Sequence, residues 1–291
     1  MSVYRLNYRA YTGKVTPLWM RILVIARYGF NEAWSSKITI GLFILSLLPP
    51  IVFLVIIFVA NNPMARAVIG SYDPEKMKIG ANFFFTVLQI QSWLALVLAS
   101  WVAPRLMGFD LADNALPILL SHPISRFSYV LGKFIALFST LSLVTWVPLL
   151  ILFVDQSYSS PVAWAANNTR VAIGMMAGAL IWIAFLSMLC LAVSSWVRWR
   201  VLATGAIFAT VFVPSGVGAI VSAVLRTKWG FLLNVPYMMS LLWQRLLGAP
   251  EFLGRWGSLP TPAILIVLSA ACFISVGMLN KRVRAREVVR G

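Results

Sequence analysis

Long apolar stretches alternate with shorter polar segments along the whole chain. Six of the stretches reach about the 20 residues that a helix needs to cross a hydrocarbon core. They cover residues 38–60, 83–103, 129–153, 173–197, 201–225 and 262–279. Because these runs are continuous and do not alternate every second residue, they predict helices and not barrel strands. We therefore expect an all-α fold, a polytopic membrane protein with six transmembrane helices.

Residues 229–247 form a seventh apolar segment with a weaker pattern. Asn234, Pro236 and Gln244 interrupt it. A full crossing would also place the basic C-terminal tail on the side of the membrane that is poorer in basic residues. We expect one or two short re-entrant helices before the last span, with a true seventh span as the alternative.

The segment before the first apolar run predicts an amphipathic helix from Pro17 onward. An apolar face is expected to hold Trp19, Ile22, Leu23, Ala26, Phe30 and Ala33. A polar face is expected to hold Arg21, Tyr28, Glu32 and Ser35. A basic amphipathic helix beside a membrane usually lies in the interface, near anionic headgroups. A short soluble cap is the alternative.

The composition and the charge distribution agree with a membrane protein. The chain is 60% hydrophobic and 11% charged, whereas soluble domains carry about 45–50% apolar and about 25% charged residues. One alternating set of segments, which includes both termini, holds 16 of the 24 basic residues. The basic-residue rule places that set in the cytoplasm. We expect a multi-pass protein of the bacterial inner membrane, with membrane lipids and not nucleic acid explaining the positive charge.

This pattern divides the chain into three parts. Residues 1–37 form a cytoplasmic N-terminal segment, residues 38–279 form the six-helix membrane domain with a loop at 104–128, and residues 280–291 form a basic cytoplasmic tail. The tail is expected to bind lipid headgroups.

The sequence lacks the motifs of several catalytic sites. The Gly-Lys pairs at Gly13 and Gly132 are not followed by Ser or Thr and have no glycine five positions earlier, so neither forms a phosphate-binding loop. The chain has a single histidine, and its two cysteines, Cys190 and Cys272, lie within apolar runs, where they are expected to act as small hydrophobic residues. We expect no catalytic residue, no metal ligand and no cofactor bound by this chain.

Polar residues inside the predicted spans are uncharged, apart from Lys133 near the start of the third. Gln89 and Gln91 in the second span are expected to form hydrogen bonds between helices, with substrate contact as the alternative. Gly174 and Gly178 in the fourth span form a Gly-x-x-x-Gly motif that permits close helix packing, within the chain or between subunits.

The loop between the second and third spans differs from a simple connector. It is long and mildly amphipathic, and Leu116, Ile118, Leu119 and Leu120 would be exposed to solvent unless a partner covered them. An exposed apolar patch of this kind usually marks a binding surface. The loop ends in a Pro-x-x-Arg turn that leads directly into the third span.

This loop resembles that of type-2 ATP-binding-cassette (ABC) transporter permeases. In that family an acidic residue precedes a leucine-rich helix, a Ser-x-Pro-[IL]-[ST]-Arg turn, an aromatic residue and Leu-Gly-Lys. The matching residues are Asp110, Leu116, Leu119, Ser121, Pro123, Ile124, Ser125, Arg126, Tyr129, Gly132 and Lys133. Two positions depart from the pattern: His122 stands where arginine is frequent, and Ser128 stands where an acidic residue is frequent. The interfacial helix, six spans and short helices before the last span are similar too.

The resemblance implies a transmembrane subunit of an ABC exporter that is not itself an enzyme. A separate cytoplasmic ABC ATPase subunit, carrying ATP and Mg²⁺, would dock on the loop, which is called the coupling helix. A second permease copy or a paralogue would complete a dimer, and some members of this family transmit force to a periplasmic partner. The expected ATPase-contacting residues are Asp110, Asp113, Leu116, Leu119, Leu120, Ser121, His122, Pro123 and Arg126.

Two other functions remain open from the sequence. One is a stand-alone secondary carrier, although ion-coupled carriers usually keep an ionisable group at membrane depth. The other is a membrane enzyme that acts on lipid phosphates, with Asp110 and Asp113 holding Mg²⁺.

Overall fold

The computed structural model of the chain describes residues 17–69, 78–112, 125–161, 163–197, 199–250 and 259–282. Every regular element within these ranges is helical. In chain order the helices are α1 (Leu18–Trp34), α2 (Lys37–Asn61), α3 (Pro63–Ile69), α4 (Ala81–Ala112), α5 (Arg126–Val144), α6 (Trp146–Ser159), α7 (Ala163–Asn167), α8 (Thr169–Trp196), α9 (Arg200–Val224), a 3-10 helix (Trp229–Leu233), α10 (Val235–Leu247) and α11 (Thr261–Arg282).

Six helical segments of the described chain are long and apolar enough to cross a membrane. They are α2, α4, α5 together with α6, α8, α9 and α11. These segments contain the six predicted runs, apart from the last residue of two of them, and most extend a few residues beyond them. The predicted all-α fold with six membrane-spanning helices is confirmed, and the chain is a multi-pass membrane protein.

Helices α4 and α8 form the centre of the bundle. In each, 56% of the most apolar window is buried, against 22% in α2, α9 and α11. The two central helices pack along each other, and the indole Nε1 of Trp182 in α8 donates a hydrogen bond to the Ser92 carbonyl in α4, at 3.2 Å. The three outer helices therefore present most of their apolar side chains to the surroundings, as lipid-facing helices do.

The third span is broken, which the sequence pattern did not predict. α5 ends at Val144, Thr145 has φ −97° and ψ −88°, and α6 begins at Trp146. Pro148 has no N–H to donate to the carbonyl of Val144, and its ring would clash with that carbonyl in a continuous helix. The Leu141 carbonyl accepts hydrogen bonds from both the Thr145 amide at 3.0 Å and the Thr145 hydroxyl at 2.9 Å, so α5 closes its last turn just before the break.

Residues 229–247 form two short helices and not a span. α10 has 13 residues, which gives about 20 Å of helix, too short for a hydrocarbon core of about 30 Å. The Asn234 side chain caps its start by accepting from the Tyr237 amide at 3.0 Å. Gly248, with φ +71°, ends it in the left-handed conformation that favours glycine. α10 packs on α8, and the 3-10 helix packs on α9.

One face of helix α1 packs along α5. Ala26 and Ala33 on this face are buried. The predicted apolar face divides between two environments: these two alanines are buried, whereas Trp19 and Leu23 are 60% and 51% exposed. Trp19 and Leu23 remain free to enter a membrane interface.

Candidate functional site

The structure describes only the two ends of the predicted ATPase-contacting loop. α4 carries the backbone as far as Ala112, so Asp110 lies in its last turn, and α5 begins at Arg126 with an exposed side chain. The other predicted contact residues lie outside the described residues; they are Asp113, Leu116, Leu119, Leu120, Ser121, His122 and Pro123. The site that can be built from the structure is therefore the base of the loop.

The start of α5 is fixed by a serine cap. The Ser125 hydroxyl oxygen accepts a hydrogen bond from the Ser128 amide at 3.1 Å, and the two serine hydroxyls are 2.7 Å apart. In a capping box the third helical residue is usually Glu or Gln. Ser128 takes that place here and makes a polar contact at the helix start.

An ion pair between a buried lysine and a half-buried glutamate joins α1 to α5. Lys133 Nζ lies 3.4 Å from Glu32 Oε2, and the two side chains are 6% and 22% exposed. The same ammonium lies 5.8 Å from the centre of the Tyr129 ring, a distance at which a cation is attracted to an aromatic face. A lysine this buried needs such partners because desolvation of its charge is costly.

The end of α4 joins the same region. An Arg105 guanidinium nitrogen donates to the Ser35 hydroxyl at 3.4 Å, and that hydroxyl donates to the Glu32 carbonyl at 2.8 Å. On the other side of α4, the Tyr129 hydroxyl donates to Met107 Sδ at 3.7 Å. Both helices that flank the predicted coupling loop are thus tied to the end of α1.

We call this set the loop-base cluster. It consists of Glu32, Ser35, Arg105, Met107, Tyr129 and Lys133. Arg105 and Lys133 each lie seven residues from the end of their helix that faces the loop, which is about 10 Å along the axis. A displacement of the loop would reach the spans through these two helices, and the cluster would carry part of it to α1.

Glycines allow α1 and α5 to approach closely. A Cβ on Gly132 would lie 2.6 Å from Ile25 Cγ2, and a Cβ on Gly29 would lie 3.0 Å from Ala136 Cβ. Carbon atoms are normally in contact at about 3.5–4.0 Å. Gly132, which the resemblance matched as part of Leu-Gly-Lys, therefore serves here as the contact point for α1.

The sequence pattern did not predict Glu32 and Arg105 as members of a site. Glu32 was expected on the polar face of α1, and its carboxylate lies 3.4 Å from the Lys133 ammonium. The small number of acidic residues could have indicated Glu32. The chain has only eight Asp and Glu residues, and a lysine inside an apolar span needs one of them nearby.

The two glutamines of α4 have different environments. The Gln91 amide donates to the Ser46 carbonyl in α2 at 3.1 Å and is fully buried, as expected for a helix-to-helix bond. Gln89 is half-buried and makes no such bond to the described residues. It lines a cleft of about 310 Å³ between α4 and α10, together with Phe85, Tyr237, Ser240, Leu241 and Gln244.

This cleft, which we call the glutamine cleft, has an uncharged polar and aromatic lining. Gln89 also lines a smaller adjoining pocket that contains three indole rings, from Trp93, Trp182 and Trp243. Amide, hydroxyl and aromatic groups in one concave surface are suited to binding a neutral organic molecule. Among the described residues no group of three His, Cys, Asp or Glu side chains forms a metal site.

Gly174 and Gly178 pack within the chain. A Cβ on Gly174 would lie 2.5 Å from the Leu246 carbonyl oxygen, and a Cβ on Gly178 would lie 2.6 Å from Trp243 Cδ1. The Trp243 Nε1 donates to the Gly178 carbonyl at 3.1 Å. The motif therefore holds α10 against α8. α10 in turn forms one wall of the glutamine cleft.

Both cysteines are free, with Cys190 buried and Cys272 half-buried.

No protein-family model matches the chain, and no curated protein sequence matches it either.

Proposed function

We propose that this chain is the transmembrane permease subunit of an ABC exporter. A separate ATPase subunit would dock on residues 110–126, and ATP-driven closure of the ATPase pair would move the loop. The chain would then move a substrate across the membrane or transmit force through it. The resemblance of residues 110–133 to the coupling loop of type-2 permeases is the observation that carries the proposal.

The loop-base cluster supports this proposal mechanically. Force on the loop would act on α4 and α5, which run directly into the bundle, while α1 braces both through Arg105 and the Lys133–Glu32 pair. A helix can act as a rigid lever over such distances because its backbone bonds are all internal. With six spans, both ends of the chain would lie on the same side of the membrane as the loop, where a cytoplasmic ATPase would lie.

The glutamine cleft is the best candidate for cargo contact. It is flanked by α10, which packs on the central helix α8, and by α4, which leads to the loop. Movement of α4 would change the width of the cleft. We therefore assign its uncharged, aromatic lining to transient contact with the exported molecule.

Co-purification tests the assignment. The tagged chain is extracted from its native host in a mild detergent, and bound proteins are identified by mass spectrometry. Wild type and Leu119→Met, which keeps an apolar side chain, are expected to retain a stoichiometric nucleotide-binding subunit with ATPase activity. Leu119→Asp is expected to lose it. Recovery of the folded chain alone from all three would refute the proposal and favour a stand-alone carrier.

A further inference from the structure

A groove opens between the ends of α8 and α11, away from the loop-base cluster and the glutamine cleft. It is lined by Trp196, Ile274, Gly277, Met278 and Lys281, and its volume is about 460 Å³. A Cβ built on Gly277 would have no heavy atom within 4 Å. The absence of a side chain at this glycine therefore leaves the floor of the groove open.

One end of the α8/α11 groove is aromatic and cationic. Trp196 is the last residue of α8, and its indole Nε1 donates to the Met278 carbonyl at 3.4 Å. The Arg282 guanidinium lies 6.0 Å from the centre of that indole ring, and its Nε donates to the Ser195 carbonyl at 3.1 Å. Lys281 is exposed at the rim. Tryptophan with lysine and arginine is typical of the level of lipid headgroups.

The other end of the groove is apolar. Ile274 precedes Lys281 by seven residues on the same helix, which places it about 10 Å deeper along the axis. Ile274 is 64% exposed, so its side chain is available to a bound molecule. The groove thus combines a positive rim at headgroup level with an apolar floor at acyl-chain level.

Acidic side chains do not neutralise this rim in the described part of the chain. Glu32 pairs with Lys133, and Asp155 lies near the end of α6, at the opposite end of the bundle. Two adjacent cations that have no acidic partner among the described side chains favour an anionic ligand, and basic pockets between membrane helices are known to hold anionic headgroups.

We propose that the α8/α11 groove binds one anionic phospholipid. Its phosphate lies at Lys281 and Arg282, its glycerol region contacts Trp196, and one acyl chain runs over Gly277 and Ile274. This site does not depend on the export function proposed above, because it requires only a chain that spans the membrane.

Lipid retention measured by native mass spectrometry tests the site. The purified chain is exchanged into detergent containing equal amounts of dioleoyl phosphatidylglycerol and dioleoyl phosphatidylcholine. Wild type is expected to retain phosphatidylglycerol preferentially. Lys281→Gln is expected to weaken that retention about fivefold, the effect of removing one interfacial cation. Gly277→Leu, which places a side chain in the groove where a Cβ meets no heavy atom within 4 Å, is expected to abolish it.

Two matched variants serve as controls. Gly205→Leu introduces the same side chain at an exposed glycine of α9 that also has no heavy atom within 4 Å of its built Cβ. Lys37→Gln removes an exposed lysine from the start of α2, on the same side of the membrane. Both are expected to retain phosphatidylglycerol as wild type does, and all variants are compared only when they elute as monodisperse protein.

Three results would overturn the proposal. Equal retention of the two lipids by wild type would indicate ordinary annular lipid. Unchanged retention in both Gly277→Leu and Lys281→Gln would place the lipid elsewhere. Displacement of phosphatidylglycerol by soluble glycerol phosphate at equal concentration would identify a site for a free anion and not for a lipid.

Discussion

Replacing Gly174 with alanine tests how closely α10 approaches the central helix α8. The new Cβ would lie 2.5 Å from the Leu246 carbonyl oxygen and 2.7 Å from its carbonyl carbon, whereas ordinary contact begins at 3.4 Å. The neighbour is backbone, so it cannot turn away as a side chain would. α10 would have to move by about 0.9 Å, a misfit of the kind that costs roughly 1–3 kcal/mol in packed cores.

The same movement would strain the end of α10. Arg170 donates to the Arg245 carbonyl at 2.8 Å, and Arg245 in turn donates to the Leu259 carbonyl at 2.6 Å. Alanine is the better helix former by about 0.5–1 kcal/mol, which offsets part of the misfit. We expect Gly174→Ala to lower the free energy of unfolding by a net amount of about 1–2 kcal/mol.

Gly205→Ala is the matched control, because Gly205 also lies within a spanning helix but nothing surrounds its built Cβ. It is expected to leave stability unchanged or to raise it by up to about 1 kcal/mol. Unfolding is followed by tryptophan fluorescence during titration of detergent micelles with sodium dodecyl sulfate; the chain has 12 tryptophans. A Gly174→Ala protein as stable as Gly205→Ala would refute the close approach of the two helices.

Two further comparisons use the same unfolding assay. Glu32→Gln removes the carboxylate partner of a buried ammonium and is expected to lower the free energy of unfolding by about 3 kcal/mol. Lys133→Met leaves only the more exposed carboxylate and should lower it by about 1 kcal/mol or less. Equal losses of stability would show that the lysine is not buried as described. Gln91→Leu breaks the bond to the Ser46 carbonyl and is expected to cost about 1–2 kcal/mol, whereas Gln89→Leu should leave stability nearly unchanged and reduce cargo-stimulated ATPase activity of the complex. A destabilised Gln89→Leu protein with normal stimulation would instead assign Gln89 a structural role.

Much of the fold is predictable from the sequence because a membrane imposes a simple condition. A stretch of about 20 apolar residues must form a helix, since no water is present to satisfy its backbone. The six spans and the two short helices at 229–247 follow from this condition and from the polar interruptions at Asn234 and Pro236. The break at Thr145 was missed because prolines inside other spans, such as Pro49 and Pro214, leave their helices continuous.

The candidate site was less predictable, because it depends on which helices become neighbours. Amphipathicity indicates that α1 has an apolar side, but it does not show that α5 accepts the narrow face around Gly29 and leaves Trp19 exposed. Gln89 and Gln91 are two positions apart on α4 and so point in different directions, one into a cleft and the other toward α2. Hydropathy treats both residues alike, so only tertiary packing separates their roles.

Site-specific photocrosslinking in the native host tests the central proposal most directly. A benzoyl-phenylalanine at position 119 lies in the predicted ATPase-contacting loop. The same residue at position 64 replaces Met64, which is 82% exposed in α3, beyond the first span and therefore on the opposite side of the membrane. We predict a covalent adduct between position 119 and an ABC ATPase subunit, and none from position 64. Two results would contradict the proposed docking of an ATPase on this loop. One is an ATPase adduct from both positions, and the other is no ATPase adduct from position 119 in a chain that reaches the membrane.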